Sequence, residues 1–302
     1  MKKILSIALL LLLLAGCAVP QSPSQPPQEP PREIDCLQVH FIDVGQADCA
    51  LLECDGHYML IDGGHATEGE TVCRYLEAEG VEQLDLVVGT HSHEDHIGGL
   101  YTVLRSFDVD TLWTGAITYT NYTVQNLLDA AEIRRVPVVQ PQLGDTFQLG
   151  DALVTVLGPV RTDYEDVNDL SLVLMVQYGQ TRFLFTGDME QLAEGNMLDY
   201  WGEDFDWHAD VLKVGHHGSY SSSGYRLLRE VAPTWGVISC GLGNEYGHPH
   251  EASMSRLRDA EVTVFRTDLM GNVIAVSDGT TIAFAWQNGA FRPTIPGHSF
   301  RK

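Results

Sequence analysis

Leu84-Asp85-Leu86-Val87-Val88-Gly89-Thr90-His91-Ser92-His93-Glu94-Asp95-His96 is the stretch that decides how this chain is read. Its first half is a short, mostly apolar run of the kind that forms a strand buried on both faces. Its second half holds three histidines and an aspartate within six residues. His91 and His93, with His96 further on, put imidazoles around a tight turn, and Asp95 adds a hard oxygen. Neutral imidazole with carboxylate suits Zn²⁺, and also Mn²⁺ or Fe²⁺. One isolated histidine is usually structural. Four donors directly after an apolar strand are hard to explain by core packing.

Outward from this stretch, strand and helix patterns alternate. Strands are expected at Leu37–Val44, Ala50–Glu53 and Tyr58–Ile61, with Asp55-Gly56 as a hairpin turn, and a helix at Glu70–Glu79 that stops at Gly80. Helical spacing returns at Ile97–Ser106 and Val124–Arg134. Short strands are expected at Val136–Gln140, Thr146–Gln148 and Leu153–Leu157. The second half repeats the logic. Strands Ser171–Gln177, Thr181–Thr186, Ala209–Val214 and Thr234–Ser239 are interleaved with helices Met189–Tyr200, Ser223–Val231 and His250–Asp259, before closing strands at Thr263–Arg266, Val273–Ser277 and Thr281–Ala285. The mixture means α/β or α+β layers, and two similar halves suggest two packed sheets with helices outside.

The remaining candidates also follow strands. Asp62 ends Met59-Leu60-Ile61, and Asp188 ends Phe183-Leu184-Phe185-Thr186-Gly187. Of 12 histidines none falls between Ile97 and Trp207, after which His216 and His217 stand together and His248 and His250 follow. In an extended segment neighbours alternate sides, so His217 is expected to point away from His216, toward substrate or ligand support. His248, in a Gly-His-Pro loop, is a candidate for donating a proton to a leaving group or contacting a phosphate. No Gly-x-Ser-x-Gly elbow accompanies the Ser219–Ser223 run, which argues against a serine nucleophile.

His91-x-His93-x-Asp95-His96 resembles the signature of the metallo-β-lactamase superfamily. Asp62 in Leu60-Ile61-Asp62-Gly63-Gly64, Asp188 in Thr186-Gly187-Asp188 and His216 in Val214-Gly215-His216-His217-Gly218-Ser219 match its other motifs in order. Phe41 to Asp48 and Tyr246-Gly247-His248-Pro249 are similar to the extracellular hydrolase domain of ComEC competence proteins. The resemblance runs from about Leu37 to Ala285. It implies a single-domain four-layer αββα sandwich with the site at the rim between the sheets. It further implies one or two divalent ions, zinc or manganese. One ion would take His91 and His93, the other Asp95, His96 and His216, with Asp188 bridging and Asp62 orienting ligands. Asp95 would also help to orient the attacking water. A histidine that many members carry before the bridging aspartate is missing, and Asn168-Asp169-Leu170-Ser171 stands in its place. Asn168 or Asp169 could ligate weakly there, water could fill the position, or the segment could simply cap the following strand. The function implied is phosphodiester hydrolysis, nuclease-like, with DNA among the candidate substrates. Hydrolysis of esters, lactams or small phosphodiesters is the alternative, and a non-catalytic metal- or DNA-binding surface protein is the reading from another class.

Composition bounds these readings. With 302 residues, 44% hydrophobic and 20% charged, the chain has globular proportions. Its formal charge of −23 argues against binding nucleic acid through electrostatics, though metal ions can reverse a local field. Lys213, Arg226 and Arg229 are the few bases near the motifs. The apolar run Ile4–Leu14 is too short to span a bilayer. It follows Met1-Lys2-Lys3 and leads to Leu14-Ala15-Gly16-Cys17, which reads as a lipoprotein signal with Cys17 the acylated residue. Residues 1–16 would be the signal peptide, 17–35 a Pro/Gln/Ser-rich tether, 36–287 the hydrolase domain and 288–302 a tail. The protein would then sit outside the cell, held at the membrane by lipid alone with no transmembrane helix, in an oligomeric state the sequence leaves open. Loss of Lys2 and Lys3 takes the basic residues from 18 to 16 against 41 acidic, a charge of −25. Cys36, Cys49, Cys54, Cys73 and Cys240 form no CxxC pair and are expected to be small buried hydrophobes.

Overall fold

The computed structural model describes residues 36–115 and 121–287. The signal peptide with Cys17, the tether and the tail lie outside them. In chain order the strands are β1 (Leu37–Phe41), β2 (Ala50–Cys54), β3 (His57–Ile61), β4 (Gln83–Leu84), β5 (Leu86–Gly89), β6 (Asp108–Val109), β7 (Leu112–Thr114), β8 (Val138–Val139), β9 (Thr146–Leu149), β10 (Ala152–Gly158), β11 (Val173–Tyr178), β12 (Thr181–Phe185), β13 (Val211–Lys213), β14 (Trp235–Ile238), β15 (Thr263–Arg266), β16 (Val273–Ser277) and β17 (Ile282–Trp286). The helices are α1 (Gly69–Ala78), α2 (Glu94–Ile97), α3 (Leu100–Ser106), α4 (Tyr122–Arg134), α5 (Gln191–Trp201), α6 (Tyr225–Val231), α7 (Glu251–Asp259) and α8 (Thr267–Met270).

Two sheets form. One has the order β17-β16-β1-β2-β3-β5-β7-β8 and the other β15-β14-β13-β12-β11-β10-β9. Side-chain alternation assigns their faces. Leu37, Val39, Phe41, Leu52 and Met59 of the first sheet meet Val154, Leu174, Val176, Phe183 and Val211 of the second in one buried core. The opposite face of the first sheet, with Leu51, Leu60 and Val87, packs on Val72 and Leu76 of α1, Leu100 and Leu104 of α3 and Leu127 of α4. The opposite face of the second, with Met175, Leu184 and Leu212, packs on Met197 of α5, Leu228 of α6 and Leu257 of α7. The result is the αββα sandwich expected from the sequence. Burial on both faces is why these strands read as near-continuous apolar runs.

The strand expected at Val136–Gln140 is cut to Val138–Val139. Pro137 and Pro141 flank it, and neither can donate to a ladder, which suits an edge strand. The one-turn helix α8 has no counterpart in the sequence reading. Among the described residues, no helix is long and apolar enough to cross a membrane. Cys49, Cys54, Cys73 and Cys240 are buried free thiols, as expected.

Each large sheet has a parallel half: β3, β5, β7 and β8 in one, β12 to β15 in the other. Their carboxyl ends therefore open on one rim. Asp62 follows β3, His91 follows β5, Asp188 follows β12 and the His216-His217 pair follows β13. Open parallel sheets commonly place their ligand sites at such ends.

Candidate metal centre

Asp62 anchors the first half of the site. Its Oδ1 accepts the Thr90 N–H at 2.8 Å, and its Oδ2 accepts both the Thr90 hydroxyl and the His96 Nδ1–H, each at 2.8 Å. With its proton donated to Asp62, the Thr90 oxygen is left to accept from His91 Nδ1 at 3.1 Å. Both Nδ1 atoms thus carry protons, and the Nε2 lone pairs of His91 and His96 turn inward. His91 Nε2 meets His93 Nδ1 at 3.1 Å and lies 3.9 Å from Asp188 Oδ2, while His96 Nε2 lies 3.2 Å from Asp188 Oδ1.

The second sheet supplies the rest. His216, His217 and Gly218 form one turn of 3-10 helix in which both histidines have left-handed backbone, φ 48° and 51°. The alternation expected of an extended pair therefore does not hold, and both rings converge on Asp188. His217 Nε2 is 3.2 Å from Asp95 Oδ2 and 3.6 Å from Asp188 Oδ2, and its Nδ1 faces the Ser239 carbonyl at 3.0 Å and Asp48 Oδ1 at 3.2 Å. His216 Nε2 is 3.7 Å from Asp188 Oδ2, with Nδ1 held by Glu190 Oε1 at 3.1 Å. His217 is buried, whereas the His216 side chain is 23% exposed.

Beside a buried group of Asp48, Asp62 and His96, two donor groups result at Asp188, each with its ligand atoms within 4.8 Å of one another. His91, His93 and Asp188 make one, and Asp95, His96, Asp188 and His217 the other. Asp188 belongs to both. His96 Nε2 and Asp188 Oδ1 are buried with no hydrogen-bond partner among the described residues, although they face each other. Lone pair against carboxylate oxygen is repulsive unless positive charge lies between them. Protonation answers the same demand. Burial works against charged His96 and His217, yet the surrounding aspartates hold His96 well above the usual range and His217 up at about 10. Burial likewise opposes ionisation of Asp188, but His96 and His217 keep its carboxyl well below the ordinary value. A centre of this kind suits a divalent cation, which displaces such protons on binding.

Asn168, with Asp169 and Leu170, forms a one-turn 3-10 helix and is buried, its side-chain oxygen without a hydrogen-bond partner among the described residues. The next residue reaches the centre: Ser171 Oγ accepts the Asp188 N–H at 3.0 Å and stands 3.3 Å from His91 Nδ1. His248 sits at the rim with its ring centroid 5.5 Å from that of His216. Gln46 fixes its tautomer. The Gly241 N–H can meet only the Gln46 amide oxygen, at 3.1 Å, so the amide nitrogen donates to His248 Nδ1 at 3.2 Å and leaves the proton on Nε2. Burial, then the neighbouring His217 and His216, lower its pKa to about 4, so it is neutral at pH 7.

Sequence reasoning missed Asp48 and Glu190, and took Lys213 only as a candidate base for nucleic acid. Asp48 holds His217 and forms a buried ion pair with Lys213 at 2.7 Å, and Lys213 and His217 outweigh burial to bring its pKa to about 2. The signal was a charged residue inside the apolar run Val211–Val214. The bases considered for a nucleic-acid strip are engaged: Lys213 with Asp48, Arg226 with Asp199 at 2.6 Å and Arg229 with Glu230 at 2.6 Å.

Residues 42–241 match the family described as the metallo-beta-lactamase superfamily. The ComE operon protein 3 of Bacillus subtilis is 31% identical over 254 residues, covering 78% of this chain and 32% of that protein. The competence protein ComA of Neisseria gonorrhoeae is 30% identical over 262 residues, covering 86% of this chain and 34% of that one. The chain thus spans about a third of the length of these curated relatives. Among solved structures, the metallo-beta-lactamase fold protein YhfI of Bacillus subtilis shares the fold with a TM-score of 0.54, at 12% identity, over 83% of this chain and 100% of that one.

Proposed function

Since the chain belongs to the metallo-β-lactamase superfamily, we propose that this hydrolase cleaves phosphodiester bonds at a two-ion centre built on Asp188. One observation carries the reading: two donor groups, each drawing on loops from both sheets, share that single carboxylate. His91 and His93 with Asp188 would hold one ion, and Asp95, His96 and His217 with Asp188 the other. His216, whose Nε2 points at the same Asp188 oxygen from the more exposed side, is a further donor. Asn168, in the segment that stands where the missing histidine would be, has a buried side-chain oxygen without a partner among the described residues and is a candidate donor. Zn²⁺ and Mn²⁺ both suit these donors. Bound ions of this kind lower the pKa of a water toward neutrality and polarise a phosphoryl oxygen.

The chain's own residues do the rest. Asp62 keeps His96 turned inward directly and His91 through Thr90, so little reorganisation remains when a ligand arrives. Asp95, kept ionised despite burial by the positive charge that His217, His96 or a bound ion places beside it, can orient the attacking water. His248, neutral with its proton on Nε2, offers an N–H to a phosphate oxygen at the rim. The lipoprotein signal read at Leu14 to Cys17 would put this activity on the outer face of the membrane.

The test is a substrate panel with Mn²⁺ and with Zn²⁺: bis(p-nitrophenyl) phosphate, single- and double-stranded DNA, a chromogenic lactam and p-nitrophenyl acetate. Phosphodiester cleavage that falls at least 1,000-fold (order of magnitude) in Asp188→Ala is expected. Wild-type protein inert toward every phosphodiester would refute the reading, and turnover of only the lactam or the carboxylic ester would replace it.

A further inference from the structure

From the centre a ladder of rings leads to solvent. His217 and His248 are nearly parallel, 28° apart with centroids 6.1 Å apart, and His248 and Tyr246 follow at 21° and 5.6 Å. Tyr246 at the outer end is 68% exposed. The loop that carries it is braced. Asn244 donates to the Gly241 and His248 carbonyls at 2.8 and 2.7 Å and accepts the His248 N–H at 3.0 Å. His250 accepts the Tyr220 N–H on Nδ1 at 3.0 Å, which leaves its Nε2–H to donate to the Tyr246 carbonyl at 3.1 Å. Such bracing on both sides fixes the backbone under Tyr246, and its ring lies along His248, so that less order has to be imposed when a ligand binds.

We propose that Tyr246, backed by His248, is a stacking platform for the nucleobase next to the scissile phosphate, which makes the substrate a short or single-stranded nucleic acid. The proposal rests on phosphodiester hydrolysis at the centre. A nucleotide holds its base one sugar away from its phosphate, and the ladder offers a flat face one ring beyond His248. Stacking needs no positive charge. That matters here, because Lys213, Arg226 and Arg229 are each engaged by a carboxylate. A base inside a duplex already has neighbours on both faces, so the platform selects an unpaired one.

The experiment compares two substrates with the same leaving group, p-nitrophenyl thymidine 5′-phosphate and methyl p-nitrophenyl phosphate, in wild type, Tyr246→Ala and Tyr246→Phe. In parallel, the affinity of metal-free protein for fluorescein-labelled hexathymidylate is read by anisotropy. In Tyr246→Ala the nucleoside-to-methyl ratio of kcat/KM should fall about tenfold, through KM, and hexathymidylate affinity by a similar factor, while Tyr246→Phe keeps both. An unchanged ratio with unchanged affinity, or a Phe variant as poor as the Ala variant, overturns the platform even where both esters are cleaved. If wild type cleaves neither ester but Tyr246→Ala still weakens hexathymidylate binding, phosphodiester hydrolysis fails and the platform stands.

Discussion

His40 and His96 show how placement decides what a buried histidine does. His96 is ringed by carboxylates, which favour positive charge on or beside its ring, whereas burial alone acts on His40 and lowers its pKa to about 4. Its Nδ1 meets the Tyr75 hydroxyl at 2.8 Å, and its Nε2 has no partner among the described residues. An unfolded histidine takes up a proton near pH 6.5, whereas folded His40 waits until about 4, so the unfolded state binds more protons between those values. Stability should therefore fall as pH drops from 6.5 toward 4, by up to about 3 kcal/mol from this residue. His40→Leu should flatten that limb relative to wild type in urea titrations at successive pH values; parallel curves would show that His40 is not the cause. The same contrast explains what a single sequence reveals at this scale. Donors packed into six residues, such as His91 to His96, announce themselves. Asp48 and His217 are 169 positions apart and meet only because two sheets close. The inward turn of His217 depends on two left-handed residues that no local pattern announced.

The elements were largely legible because strands buried on both faces carry an apolar run that little else produces. Their ends were less so, since hydrogen bonds to distant segments set them. The α2 turn is positioned this way: Gly63 N–H donates to the His96 carbonyl at 2.7 Å and Gly99 N–H to the Gly64 carbonyl at 2.9 Å, clamping the histidine turn to the loop after β3. The clamp leaves no room at Gly99, where a Cβ would lie 2.0 Å from the Gly63 oxygen. Gly99→Ala should cost about 1–3 kcal/mol in denaturant unfolding and weaken metal binding with it, because the backbone under His96 must move. Unchanged stability would mean that the two loops are not locked together.

For the whole molecule, charge and architecture pull the function in one direction. Besides the three bases near the motifs, Arg134, Arg161, Arg182 and Arg266 each pair with an aspartate. Affinity for duplex DNA should be weak, with a log–log salt slope shallower than about −2, equivalent to roughly two displaced counterions. A slope of about −4 or steeper would reveal a basic track that the fold does not present. Four of the buried thiols carry one more consequence. Cys49 and Cys73 pack between the first sheet and its helices, Cys54 lies in the core between the sheets and Cys240 lies behind the second sheet. A thiol reagent can reach them only while the corresponding layer is open. The domain thus carries its own stopwatch: the order in which these cysteines are labelled, timed with and without added divalent ions, would tell which layer breathes first.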